Sequence, residues 1–161
     1  MNIFFKFFAI LLVTTGLAIA SEDSAEVVLT LRFENGTQEP VEFTLEDLNA
    51  FGEDQFSTTT IWTTGPQTFS GVSLKSFLNS LGIENGTILA SAINDYTVEI
   101  PVSDAVIDGP MIAYRLNGEE MSIRDKGPLW IVYPYDSKSE YQAEVIYSRS
   151  IWQLDRIAIV D

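Results

Sequence analysis

No cysteine and no histidine occur in this sequence. The first absence removes thiolate nucleophiles, disulfides and sulfur ligands for a metal. The second removes the Ser-His-Asp triad and nearly every common zinc site. Cations are scarce: nine Lys and Arg face 23 Asp and Glu, a net charge of −14. A surface this acidic argues against nucleic acid and anionic membranes as partners. The carboxylates are scattered rather than blocked into runs, as on an ordinary solvated surface. No internal repeat, low-complexity tract or long linker interrupts the chain. Past residue 20, no apolar run approaches the roughly 20 residues needed to span a bilayer.

What is present begins with a leader. Met1–Lys6 holds one cation, Lys6, and Phe7–Ile19 is a nearly unbroken apolar run. Ala18-Ile19-Ala20 places small residues where a signal peptidase needs them, and Ser21-Glu22-Asp23-Ser24 turns abruptly polar. This predicts a secretory signal peptide cleaved after Ala20, and a periplasmic or secreted protein with no stable membrane insertion. With a single Lys and no Arg-Arg pair, the leader is of the general secretory type, which threads an unfolded chain. The mature chain is then Ser21–Asp161, one domain, with eight cations, 23 carboxylates and a net charge of −15. That length allows a real hydrophobic core.

Local patterns predict an α+β domain. Ala25–Phe33 and Val41–Thr44 read as strands around Asn35-Gly36. Thr44 with Asp47 forms a capping box for a short helix, Leu45–Phe51. Gln55–Thr63, rich in Thr, Phe, Ile and Trp, suits a strand. Ser73 caps a helix whose Leu74, Phe77, Leu78 and Leu81 share one face, and Gly82 ends it. Thr87–Ile93 and Thr97–Ile100 read as strands, and Pro101-Val102-Ser103 as a brief helix or turn. Met111–Leu116 and Glu119–Arg124 flank Asn117-Gly118, the strongest hairpin signal. Pro128–Tyr133 suits a buried strand. Tyr141–Leu154 is ambiguous between helix and strand, and Arg156–Val160 is a closing strand. Asn35-Gly-Thr37 and Asn85-Gly-Thr87 match the glycosylation sequon, but both fall on Asn-Gly turns, which explain them without glycans.

Three clusters hold the remaining chemistry. Ser57–Thr64 is a hydroxyl-rich stretch with Thr60 and Trp62. Asn94-Asp95-Tyr96 is a polar break between two apolar strands, where ligand sites often lie. Arg124-Asp125-Lys126-Gly127-Pro128-Leu129-Trp130 gathers two cations beside a turn, a spot able to hold an anion. Each also has an ordinary structural explanation: a solvated Thr face, a capped turn and a surface ion-pair set. Glu119 and Glu120 are adjacent on a strand and point to opposite faces, which makes them poor acid–base partners.

Taken in order, these pieces resemble the oxidoreductase molybdopterin-binding domain family, the fold of sulfite oxidase and its bacterial relatives. The pattern runs through Leu45-Glu-Asp-Leu48, Thr58-Thr-Thr60 with Trp62, Phe69-Ser-Gly-Val-Ser-Leu74 and Ala92-Ile-Asn-Asp-Tyr96. It continues through Ala113-Tyr-Arg-Leu-Asn-Gly118, Lys126-Gly-Pro-Leu129, Val132-Tyr-Pro134 and Trp152 with Arg156-Ile157-Ala-Ile159. The resemblance implies a mixed sheet with a few short helices. In cofactor-bearing members it implies a cysteine thiolate on molybdenum, with Arg and His holding the pterin phosphate and the substrate anion. That cysteine would fall near Thr59 or Thr60. Where the family often has Pro-Leu-Arg, this chain has Pro128-Leu129-Trp130. A threonine hydroxyl is neutral and far less acidic than a thiol, and is a poor substitute for a soft anionic ligand.

The expectation is therefore a cofactor-free binding module for a small ligand or a partner protein, such as a membrane-associated receptor. Its cleft would comprise Thr60, Asn94 and Asp95 for hydrogen bonding, Trp62, Tyr96 and Trp130 for stacking, and Arg124 and Lys126 for anion contact. The alternatives are a molybdopterin-dependent oxidoreductase with a non-cysteine metal ligand, and an assembly protein with no small ligand.

Overall fold

A computed structural model describes residues 25–34, 36 and 38–160. The leader, its cleavage site and Asn35 of the first turn lie outside the described residues. Strand β1 (Val27–Phe33) pairs with β2 (Val41–Thr44), which runs directly into helix α1 (Leu45–Ala50). The turn into α1 is the expected capping box: Thr44 Oγ1 accepts from Asp47 N at 3.2 Å, and Asp47 Oδ2 accepts from Thr44 N at 2.8 Å. Strand β3 (Asp54–Thr58) pairs with β4 (Gln67–Ser73), and Ser73 caps α2 (Leu74–Ser80) through Ser76 N. Phe43, Phe51 and Phe77 meet edge to face at 5.5–5.9 Å and seat both helices against β2.

The second half is built from β5 (Thr87–Ala92), β6 (Thr97–Pro101), β7 (Met111–Leu116), β8 (Glu119–Glu120), β9 (Leu129–Val132), α3 (Glu144–Tyr147) and β10 (Ile151–Val160). All ten strands form one curled mixed sheet, ordered β2-β1-β10-β9-β7-β4-β3, with β5 joining β10 to β6 and β8 beside β7. Every pairing is antiparallel except β1 with β10. The α+β mixed sheet with a few short helices is the architecture expected from the sequence. No helix among the described residues is long and apolar enough to cross a membrane.

Strand β4 (Gln67–Ser73) is absent from the sequence reading, and three boundaries differ most from it. The strand expected over Gln55–Thr63 ends at Thr58, because Thr59 donates to Asp136 and Thr60 Oγ1 accepts from Trp62 N, which turns the next residues away. The second hairpin strand stops at Glu120, because Ser122 caps a 3-10 turn over Ile123–Asp125. The ambiguous Tyr141–Leu154 stretch divides into a 3-10 turn, α3 and the start of β10.

Strand β10 positions the site. Its Leu154 pairs with Ala92 of β5 and Leu129 of β9, so those strands occupy opposite edges. Its Arg156 pairs with Thr30 of β1 and Ser91 of β5, so β1 continues the edge that β9 leaves. The strand's register against β9 shifts at Gln153, between Trp152 and Leu154, and its partner changes from β9 to β1 between Leu154 and Arg156.

Candidate functional site

Beside the irregular start of β10 lies a cavity of about 330 Å³. It is lined by Trp62, Ala92, Asn94, Tyr96, Tyr147, Ser150, Ile151, Trp152 and Gln153, none of them charged. This is near the lower end of small-molecule sites. Trp62 is the hub of its wall, with ring centroids 5.5 Å from Trp152, 6.0 Å from Tyr147, 6.1 Å from Trp130 and 6.1 Å from Tyr135. All four contacts are edge to face, the favoured geometry for aromatic pairs. Trp130 is fully buried beneath, 5.2 Å from Phe69 and 6.0 Å from Trp152.

The backbone around the cavity is held in unusual conformations. Asp95, Lys126 and Gln153 adopt φ values of 66°, 74° and 53°, three of the five non-glycine residues with positive φ among those described. Such residues persist only where neighbours fix them, and they concentrate at functional sites. Gln153 is fixed on every side. Its N–H donates to Lys126 O at 3.0 Å, its carbonyl accepts from Ile93 N at 2.9 Å, and its Nε2 donates to Ile123 O at 2.7 Å. The β5–β6 turn and the 123–127 turn are thereby fastened to the same bulge.

The structure places the eight residues expected from the sequence at different depths. Trp62, Asn94 and Tyr96 line the cavity, and Tyr96 is 58% exposed at its mouth. Thr60 stands behind Trp62, accepting from its N–H at 3.0 Å and bonding the Thr63 hydroxyl at 2.8 Å. Lys126 places its ammonium 5.9 Å from the Trp152 ring, a cation–π contact at the rim. Trp130 forms the floor beneath other rings instead of a stacking surface. Asp95 lies at the mouth, turned to Arg156 at 2.7 Å, and Arg156 also reaches Asp155 at 3.4 Å. Arg124 is exposed on the adjoining 3-10 turn and does not line the cavity.

Tyr147, Ser150, Ile151, Trp152 and Gln153 were not foreseen as cavity residues. All come from the stretch whose secondary structure the sequence left open. The one legible signal was Trp152, a large aromatic beginning a strand. Beneath Ser150 the Tyr135 hydroxyl bonds its Oγ, and burial pushes the Tyr135 phenol well above the usual tyrosine range. Tyr133 is raised further, first by burial and then by Asp104, which accepts from its hydroxyl at 2.8 Å and pairs with Arg149. Both phenols stay neutral at physiological pH, which suits packing and not proton transfer.

The hydroxyl-rich turn before Trp62 is tied to the 3-10 turn over Tyr135–Ser137 that follows β9. Thr59 donates from N and Oγ1 to the Asp136 carboxylate at 2.6 and 2.7 Å, and Asp136 N donates to Thr58 Oγ1 at 3.1 Å. The backbone and hydroxyl bonds from Thr59 hold the Asp136 pKa below the ordinary carboxylate value. A depressed carboxylate stabilises the fold above its unfolded pKa and loses that contribution as pH falls through the folded value. Asp136→Asn is therefore expected to cost about 1 kcal/mol at pH 7, allowing for solvent screening. The difference from wild type should shrink below about pH 4, where Asp is protonated in the unfolded chain. Urea midpoints for the two proteins at pH 7 and pH 3 check this, and an unchanged gap would refute the assignment.

Residues 20–137 match the family described as the oxidoreductase molybdopterin binding domain. No curated protein matches the sequence. Among solved structures, the chain resembles the sulfane dehydrogenase SoxCD of Paracoccus pantotrophus, with a TM-score of 0.61 at 20% identity. The match covers 83% of this chain but only 38% of that one, so it concerns the fold.

Proposed function

Because the chain belongs to the oxidoreductase molybdopterin-binding domain family, we propose that it retains that fold as an exported binding module, with a small molecule in its cavity and no metal cofactor. The donor set of this chain does not fit the pterin-bound metal. There is no thiolate anywhere in the sequence. At the position where the resemblance puts the cysteine, the Thr59 hydroxyl donates to Asp136 and the Thr60 hydroxyl is held by Thr63 and the Trp62 N–H. Nor is a phosphate well served. Near the cavity, Arg156 is engaged by two carboxylates and Lys126 rests over Trp152.

The observation that carries the proposal is the cavity itself. Trp62, Tyr147 and Trp152 are only partly buried, whereas Trp130 and Tyr135 beneath them are sealed. Rings with open surface around an uncharged hollow offer apolar contact, and Asn94 adds a polar edge. The general secretory leader supports the same reading, since a chain threaded unfolded cannot carry a preloaded pterin.

A thermal-shift screen of small metabolites, followed by tryptophan fluorescence, tests the proposal. A ligand at a hundred times its Kd should raise stability by about 2.7 kcal/mol. It should also change the emission of Trp62 and Trp152, and the response should weaken in Trp152→Ala. A folded protein that answers no ligand, or whose ligand is indifferent to Trp152, would refute the cavity as the site.

A further inference from the structure

We infer that the cavity selects an organic cation, an alkylated ammonium group held against aromatic rings. The inference rests on the binding reading above and names the class of ligand. Trp62 meets Trp152 at an interplanar angle of 65° and Tyr147 at 88°, so it stands steeply to two of the other rings that line the cavity. Tyr96, exposed at the mouth, adds a fourth. Ring faces carry negative charge density, and several set around one point favour a cation too bulky and too weakly hydrated to need hydrogen bonds. The lining offers no carboxylate or ammonium to fix a charged ligand by ion pairing.

Two further observations give the sign of the charge. The whole chain is strongly acidic, so its field concentrates cations and repels anions. Trp152 already accepts an ammonium, that of Lys126, against its ring. Of the charged groups near the mouth, Asp95 pairs with Arg156 and Arg124 is exposed on the adjoining turn, whereas Lys126 sits over the Trp152 ring. Lys126 is thus the local opponent of a bound cation, which makes it diagnostic. An anionic ligand would depend on Lys126, whereas a cationic one is weakened by it.

Choline and its uncharged carbon isostere, 3,3-dimethyl-1-butanol, are suitable probes at matched ionic strength, read by calorimetry and tryptophan fluorescence. Choline is expected to bind about tenfold or more tightly than the isostere. Tyr96→Ala removes a wall outside the core and should weaken choline about threefold to tenfold. Lys126→Met keeps the aliphatic stem and should tighten choline about twofold to fivefold at low salt, an effect that fades as salt rises. Equal affinity for choline and isostere, or weaker choline binding in Lys126→Met, overturns the cation assignment. Silence toward choline, with an uncharged molecule that binds and depends on Tyr96, overturns it too but leaves the binding reading intact.

Discussion

Trp130→Ala is expected to destabilise the protein by about 3–5 kcal/mol, lowering the melting temperature by roughly 10–20 °C for a domain of this size. Trp130 lies at the centre of β9 and is completely buried. It touches Phe69 on β4, Trp152 on β10 and Trp62 on the loop between β3 and β4. Truncation removes the largest side chain of the core at the place where three segments meet. The rings above it are themselves constrained by one another, so the void cannot close freely. Ligand response should disappear with it, because Trp62 and Trp152 lose their floor. Trp130→Phe should be far milder. It gives up part of the ring but also removes the indole Nε1, which is buried without a hydrogen-bond partner. Thermal unfolding of the two variants side by side checks this. Equal losses would mean that the indole nitrogen, not ring volume, matters at this position.

Gly71→Ala is expected to cost more than about 3 kcal/mol, or to prevent folding. A Cβ on Gly71 would fall 2.1 Å from Ile112 O and 2.6 Å from Ala113 Cα. Both are backbone atoms of β7, and the clash coincides with the register shift between Ser70 and Gly71. No side chain can rotate out of the way, so β4 and β7 would have to part, one strand in from the β3 edge of the sheet. Gly82→Ala provides the contrast. Gly82 has φ +70° but open space around the missing Cβ, so only the left-handed penalty of about 1–2 kcal/mol applies. Soluble yield and urea midpoints of the two variants should separate steric from conformational cost. Comparable losses would contradict the contact at Gly71.

These positions also show which parts of the molecule were legible in sequence. The capping box at Thr44 and Asp47, the Ser73 cap and the Asn117-Gly118 hairpin depend on residues a few positions apart, so local patterns revealed them. The role of Gly71 depends on Ile112, far along the chain, and nothing near Gly71 announces it. The same holds for the cavity. Trp62, Asn94 and Tyr96 were evident as aromatic and polar breaks in apolar surroundings. The opposite wall was not, because Tyr147 to Gln153 changes from helix to strand within a few residues. Its bulge at Gln153 uses a left-handed backbone with no glycine to mark it. The end of β3 was hidden for a similar reason: composition favoured extension, but Asp136, distant in sequence, captured Thr59. Arg124 and Trp130 were grouped by sequence proximity, and the fold sends one to the surface and the other to the core.

The most direct test is elemental and pterin analysis of the protein isolated from its native host, with its melting curve recorded on the same sample. The account predicts background molybdenum, no released pterin fluorescence and a cooperative transition in the metal-free protein. Molybdenum and pterin approaching stoichiometry with the chain would contradict it, and would mean that a ligand other than thiolate holds the metal on this fold.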